Sequence, residues 1–324
     1  MRSLRRLLPA VITVAALTLS ACGTTDDAAT DKKSSSGEKI TVTDVRGKEV
    51  TINGPATRVV TLEWNQTEDV IALGVNPVGI ADVKGFKVWD TVVRVKGDPV
   101  DVGKRNEPSQ ESVGKADPDL IIGSEESIPE DAIAAMEQIA PVVLLKGADA
   151  NAPLERVREN FQTVAKLLGK DAEGEKILDE LDQTLADSKT KIAAAKPLPY
   201  LFAYAYGEGS QVTFRVHAAR SVPGAVAKEI GLTNAYAGPG DDAWGLESMD
   251  VEALTTLPAD MEFLYWANSE EDPIKDMLPS NAVWTNLKFV KDGNVKPFGE
   301  GVWMYGGPRS LQQMAEAYVK ALAS

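Results

Sequence analysis

The chain has 324 residues, 44% of them apolar, enough for one large domain or two ordinary ones with a sizeable core. It carries 34 Lys and Arg against 48 Asp and Glu, a formal charge of −14, which excludes a nucleic-acid partner because phosphate neutralisation needs clustered basic residues. One cysteine and one histidine exclude a disulfide framework and supply too few ligands for a directly coordinated transition metal.

Residues 1–21 read as a secretory signal: Arg2, Arg5 and Arg6 precede an apolar run from Leu7 to Leu19 that is too short for a membrane span. Leu19-Ser20-Ala21-Cys22 resembles the bacterial lipoprotein signal, which implies cleavage before Cys22 and lipidation of its thiol. Without the three signal arginines the chain retains 31 basic against 48 acidic residues, a net charge of −17. Residues 22–38 are small, polar and charged, and predict a flexible tether.

A first α/β lobe is predicted over residues 39–150. Ile40–Thr43 and Glu49–Ile52 form a hairpin around Gly47, and Arg58–Leu62 is a strand. Asn65 caps a helix with Glu68 as its capping-box partner, ending at Gly74. Val78–Ala81 is a strand, followed by a loop holding Phe86, Trp89 and Arg94; Asp101–Lys104 is a further strand. A helix over Ser109–Ala116, strand Leu120–Ile122, helix Pro129–Ile139 and strand Val142–Leu145 complete it. Strands alternating with helices through short loops predict a parallel sheet covered on both faces.

Residues 151–196 read as two helices. Leu154, Val157, Phe161, Val164, Leu167 and Leu168 recur at spacings of three and four up to Gly169. Asp171 can cap the second helix, whose apolar stripe is Ile177, Leu178, Leu181, Leu185 and Ile192. It runs unbroken to Pro197. About 25 residues at about 1.5 Å each make a rod of roughly 37 Å, long enough to bridge two lobes and stiff enough to limit their movement.

The α/β pattern returns over residues 197–324. Tyr200–Tyr206 and Val212–Val216 are strands, Ser221 caps a helix ending at Gly231, and Asp250–Leu257 is helical. Phe263–Trp266 is a strand, Val283–Leu287 a helix, Val295–Phe298 a strand and Leu311–Leu322 a terminal helix. Glu111 stands eight residues before Asp119 and a strand; Glu252 stands eight before Asp260 and a strand. The repeat suggests two similar lobes, with chance or a common helix–strand connection as the alternative.

Ligands of open α/β sheets bind outside the carboxyl ends of strands. The residues there are Trp64 with Glu63 and Asn65, Trp89, Arg94, Arg105, Tyr204, Tyr206, Arg215, Arg220, Trp244, Trp266, Trp303 and Tyr305. Each aromatic could instead pack in a core, although Trp64 and Trp303, set among polar and glycine residues, favour a site. Each arginine could bind an anionic ligand or form a rim ion pair. No G-x-S-x-G, G-x-x-x-x-G-K-[ST] or G-x-G-x-x-G motif occurs, so the common hydrolase and nucleotide sites lack an anchor.

The stretches RVVTLEWNQTEDVIALGVNPVGIADVKG and VGKRNEPSQESVGKADPDLIIG, followed by FRVHAARSVPGAVAKEIGLTNAY and WTNLKFVKDGNVKPF, resemble the iron–siderophore substrate-binding proteins of ABC importers. That family is related to vitamin B12 and haem binding proteins, and the resemblance covers nearly all of residues 58–322. It implies two Rossmann-like lobes joined by one long helix around a ligand cleft, a monomer, and no catalysis. It implies no metal ligands or cofactor of the protein's own, since Fe(III) is held by the siderophore's oxygens. It further implies that Glu111 and Glu252 dock on the permease. The EWN and RNEP segments look most like binders of ferric citrate or hydroxamate chelates; the number of arginines favours a carboxylate-bearing chelate, with Arg105 and Arg215 as its foremost contacts. A cobalamin or haem receptor is the near alternative, for haem with Tyr206, Tyr305 or His217 as axial ligand. A secreted carboxylate-dependent enzyme is the distant one.

Overall fold

A computed structural model describes residues 38–209, 211–267 and 272–323; the predicted signal, Cys22 and the tether up to residue 37 lie outside the described residues. The chain first forms the antiparallel hairpin β1 (Lys39–Thr43) and β2 (Glu49–Asn53), whose alternation buries Val42, Val50 and Ile52.

The first large sheet collects β3 (Val59–Thr61), β4 (Gly79–Ile80), β5 (Val100–Asp101), β8 (Leu120–Ser124) and β9 (Val142–Leu145) in the order β5-β4-β3-β8-β9, all parallel. A short hairpin, β6 (Gly103–Lys104) with β7 (Glu107–Pro108), projects beside it. Both faces are covered, so strands β3, β8 and β9 are buried throughout rather than alternating. Val59, Leu120, Ile122 and Val143 pack with α1 (Trp64–Ala72) and α5 (Pro153–Leu167). Val60, Ile121, Val142 and Leu144 pack with α3 (Gln110–Lys115) and α4 (Ile133–Glu137).

The second sheet collects β10 (Tyr200–Glu208), β11 (Gln211–His217), β12 (Leu246–Met249), β13 (Glu262–Trp266) and β14 (Val295–Pro297) in the order β12-β11-β10-β13-β14. It is mixed: β10, β13 and β14 are parallel, while β11 and β12 are antiparallel to their neighbours. Leu201, Ala203, Phe263 and Tyr265 pack with α8 (Pro273–Asp276), α9 (Ala282–Asn286) and α10 (Lys288–Lys291). Tyr200, Phe202, Leu264 and Trp266 face α7 (Val222–Glu229), α11 (Pro308–Leu322) and α6 (Asp171–Ala195).

Helix α6 belongs to both cores. Ile177 and Leu178 pack with the first sheet, and Leu181, Leu185 and Ile192 with the second. It closes at Lys196, in the left-handed region at φ 49, just before Pro197. Helix α5 packs on the first sheet through Phe161, Val164 and Leu167, but Leu154 and Val157 reach the core of the second.

Several local expectations are corrected. The segment expected to be a loop holding Phe86 and Trp89 is helix α2 (Val83–Trp89), started by Asp82, whose carboxylate accepts from the Gly85 amide. Asp171 is the first residue of α6, not its cap; Lys170 precedes it without a side-chain bond. The expected helix over Asp250–Leu257 is a single 3-10 turn, Ala253–Thr256. Glu63, not Asn65, caps α1. Glu68 makes no capping box: its carboxylate crosses to the start of α11, accepting from the Gly307 amide at 2.9 Å, the Ser310 amide at 2.9 Å and the Ser310 hydroxyl at 2.6 Å. Thr91 makes a second crossing, donating from its amide and hydroxyl to the Gly301 carbonyl at 3.1 and 3.0 Å.

Candidate binding cleft

The carboxyl ends of the two sheets face one another across a cleft of about 1010 Å³. Of the fourteen residues named at the strand ends, all but Arg94 and Arg220 line it: Glu63, Trp64, Asn65, Trp89, Arg105, Tyr204, Tyr206, Arg215, Trp244, Trp266, Trp303 and Tyr305. Arg94 is exposed and lies outside the cleft wall. Arg220 is also outside. It fastens the start of the helical region instead, donating to the Ala150 carbonyl and Asn151 Oδ1, each at 3.1 Å, with Asp242 at 3.4 Å.

The floor is a continuous aromatic contact between the lobes. Trp64 opens α1 directly after β3, and its indole N–H donates to the Ala81 carbonyl at 3.2 Å. Gly85 lets α2 pass close by: a Cβ there would stand 2.5 Å from the Trp64 ring. Trp64 meets Trp303 edge-on with ring centroids 4.8 Å apart, and Trp89 meets Trp266 at 4.5 Å. Trp303 continues to Tyr305 at 5.3 Å and Tyr305 to Trp244 at 5.2 Å; Trp266 continues to Tyr204 at 5.2 Å. Aromatic pairs of this kind contribute about 0.5–1.5 kcal/mol each beyond their burial. The floor is therefore packed before any ligand arrives. Trp64 and Trp303, set among polar and glycine residues in the sequence, are themselves buried.

The two arginines differ. The Arg105 guanidinium lies 4.2 Å over the Trp64 ring and 5.6 Å from that of Trp303, and donates from Nη1 to Glu63 Oε2 at 3.0 Å. Burial pushes the Glu63 carboxyl up, against the opposing pull of Arg105. Arg215 sits over the rings of Tyr204 and Tyr206, at 5.9 and 5.8 Å, and forms no ion pair among the described residues. Burial pushes the Tyr305 phenol up while Arg215 draws it down. His217 does not line the cleft. It is buried beneath it, stacked on Phe202 at 5.1 Å, and burial with Arg215 nearby pushes it down to about 3.

Carboxylates line the rim. Asp241 accepts from the amides of Ala243, Trp244 and Leu246 and so shapes the loop that presents Trp244. Burial works against its charge, but these bonds hold it below the ordinary carboxylate value. Glu247 accepts from the Tyr236 hydroxyl at 2.9 Å. Glu125 and Glu126 follow β8. Sequence reasoning missed this acidic rim. The strand-end rule could have found Glu125 and Glu126, but Glu247 lies on β12, whose sequence LESM carries no strand signal.

Glu111 and Glu252 are both exposed, on different lobes. Glu111 is in the first turn of α3 and pairs with Lys115 at 2.6 Å; Glu252 directly precedes the 3-10 turn. Their partner aspartates differ: Asp119 accepts from the amides of Thr57 and Arg58, whereas Asp260 pairs with Lys288. Among the described residues no group of three or more His, Cys, Asp or Glu side chains is placed to hold a metal ion, and no helix is long and apolar enough to cross a membrane.

Residues 59–300 match the periplasmic binding protein family. The Fe(3+)-citrate-binding protein YfmC of Bacillus subtilis is 29% identical, over 96% of this chain and 94% of its own. The iron(3+)-hydroxamate-binding protein FhuD of Escherichia coli is 25% identical, over 82% of this chain and 86% of its own. Among solved structures, the siderophore binding protein FhuD of Vibrio cholerae with Fe3+–Desferal bound superposes with a TM-score of 0.74 at 26% identity, covering 83% of this chain and 98% of that one.

Proposed function

The chain belongs to the periplasmic binding protein family, and from that premise we propose that it is the lipid-anchored receptor of an ABC importer, capturing an Fe(III)–siderophore complex in the cleft and delivering it to the permease. The family and the relatives are binding proteins, and the chain is a binding protein rather than an enzyme. The observation that carries the reading is the convergence of both lobes on one aromatic floor with Arg105 and Arg215 beside it. Aromatic faces suit the apolar shell of an organic chelate, and guanidinium groups suit its oxygens. Relatives named as binders of ferric citrate and ferric hydroxamate support the same class.

In this reading Fe(III) is cargo and reaches the protein within the siderophore's own oxygens. The protein works as a monomer held to the cell membrane by lipid on Cys22, and it takes no cofactor of its own. Glu111 and Glu252 present one carboxylate per lobe to basic residues of a two-subunit permease. The lobes move little on binding, because α6, the Glu68 contact and the Thr91 contact all resist separation.

The test is titration of the purified protein with ferric citrate, ferric hydroxamate and ferric catecholate complexes, followed by tryptophan fluorescence. Quenching that saturates at micromolar concentration or below with at least one ferric chelate, and not with its iron-free form, is expected. Absence of quenching with every ferric chelate, together with tight binding of an unrelated ligand, would overturn the reading.

A further inference from the structure

The arginine count alone points to a strongly anionic ligand. The placement of the carboxylates reverses that expectation. Arg105 and Arg215 share the cleft wall with Lys104, against Glu63, Asp82, Glu125, Glu126, Asp241 and Glu247. Six carboxylates thus face three cations. Of the cations, Arg105 is bonded to Glu63 at 3.0 Å and Lys104 to Glu107 at 3.1 Å. The Lys104 pair is largely exposed and screened. The Arg105 pair is not: the Glu63 side chain keeps 22% of its exposure, beside the ring that Arg105 covers.

We propose that Glu63 sets the charge selectivity of the cleft. It neutralises Arg105 and leaves Arg215 as the one guanidinium of the cleft wall without a carboxylate partner among the described residues, so the cleft accepts ferric chelates that are neutral or cationic overall and rejects polyanionic ones. The inference rests on reading the cleft as a ferric-siderophore site.

A chelate carboxylate that takes the Arg105 donors either displaces Glu63, leaving a half-buried carboxylate without its counter-charge, which costs more than the pair contributes when intact, or shares the guanidinium with Glu63 and meets its like charge at close range. A neutral carbonyl or hydroxamate oxygen can use the remaining Arg105 N–H groups without displacing it, since a guanidinium has five donors. The rim acts in the same direction. Asp82, Asp241 and Glu247 are already bonded to protein donors, and with Glu125 and Glu126 they give the entrance a negative potential that repels polyanions and attracts a pendant ammonium. Glu63 is a positioning residue in this scheme: it also accepts from the Trp64 amide and holds Arg105 over the Trp64 ring.

The test compares the wild type, Glu63→Gln and, as a control outside the cleft, Glu107→Gln. Calorimetry measures affinity for three probes: Fe(III)–Desferal, a trihydroxamate complex whose free amine makes it a cation; a neutral cyclic ferric trihydroxamate; and ferric citrate. The wild type should bind the cationic or neutral complex at least tenfold tighter than ferric citrate. Glu63→Gln should narrow that ratio at least threefold, mainly by gaining affinity for citrate, and Glu107→Gln should leave it unchanged. Tighter binding of ferric citrate by the wild type, or an equal loss for all probes in Glu63→Gln, would overturn the proposal. Should Glu63→Gln fail to fold, salt decides: raising ionic strength should strengthen citrate binding and weaken that of the cation, and the opposite trend overturns the proposal. Failure of all three probes to bind would remove the siderophore reading itself, and this inference with it.

Discussion

Ser310 donates twice to Glu68, from its amide at 2.9 Å and its hydroxyl at 2.6 Å, fastening the first helix after β3 to the N-terminus of the last helix of the chain. A carboxyl group there meets orphan amides and the positive end of the helix dipole together. Ser310→Ala removes one donor and leaves Glu68 buried and undersatisfied, at a cost of about 1–3 kcal/mol. Gly307→Ala should cost more, because its Cβ would collide with the Asp69 carboxyl. Urea denaturation of the two variants checks both the size and the order; a loss below about 0.5 kcal/mol for Ser310→Ala would show the contact to be dispensable.

The same contact predicts a pH dependence. Glu68, Asp69 and Asp90 are buried together and, among the described residues, have no basic partner bonded to them. Burial raises all three, with the charge of Glu68 adding to the rise of Asp69 and Asp90, and Asp90 is pushed up to about 10. The folded protein therefore holds protons that the unfolded chain releases above the ordinary carboxylate range. Stability therefore falls as pH rises above the ordinary carboxylate value, because the unfolded chain gives up protons that the folded cluster keeps. His217 acts with the opposite sign but only below about 6.5, where the unfolded chain takes up a proton that the buried ring refuses. Between pH 7 and 9 the acids act alone. The melting temperature should fall across that window, and Asp90→Asn should flatten the slope; a rising curve in the wild type would contradict the assignment.

Arg215 is exposed, carries no ion pair among the described residues, and is held by the faces of Tyr204 and Tyr206 and by the Tyr305 phenol. Arg215→Gln should therefore lower the affinity for the bound ferric chelate at least tenfold, or about 1.4 kcal/mol, while leaving the melting temperature within a degree or two. Calorimetry and thermal melting separate the two effects. An equal loss in both would make Arg215 a structural residue.

Glu111→Ala and Glu252→Ala remove exposed carboxylates, one of them in a surface pair with Lys115 that contributes about 0.5 kcal/mol at most. The double variant should keep ligand affinity and stability but abolish uptake of radioactive iron in cells depending on this receptor. Uptake at the wild-type rate would remove the docking assignment.

Much of the architecture was legible in the residues themselves. The stripe from Ile177 to Ile192 ending at Pro197 specifies α6, because period and breaker are local properties of the chain. Apolar runs such as Leu120–Ile122 and Val142–Leu145 specify strands covered on both faces for the same reason. Helix α2 was not legible, because Gly85 sits in it and the signal that starts it is an aspartate in the left-handed region. Strand β12 was not legible, because its mixed residues form a strand only through pairing with β11. The strand-end rule found the aromatics and arginines that meet in the cleft, but it could not separate Arg105 from Arg215, or either from Arg220. Whether an arginine is free, paired with Glu63 or spent on Ala150 and Asn151 depends on which carboxylates and carbonyls stand within 3–4 Å, and those come from distant parts of the chain. Glu68 makes the same point. Its place three residues after Asn65 suggests a local cap, yet its partners lie some 240 positions away at Gly307 and Ser310. Local pattern determined the elements and the membership of the cleft; tertiary contact alone decided its charge balance, because electrostatic energy depends on distance in space and not on distance along the chain.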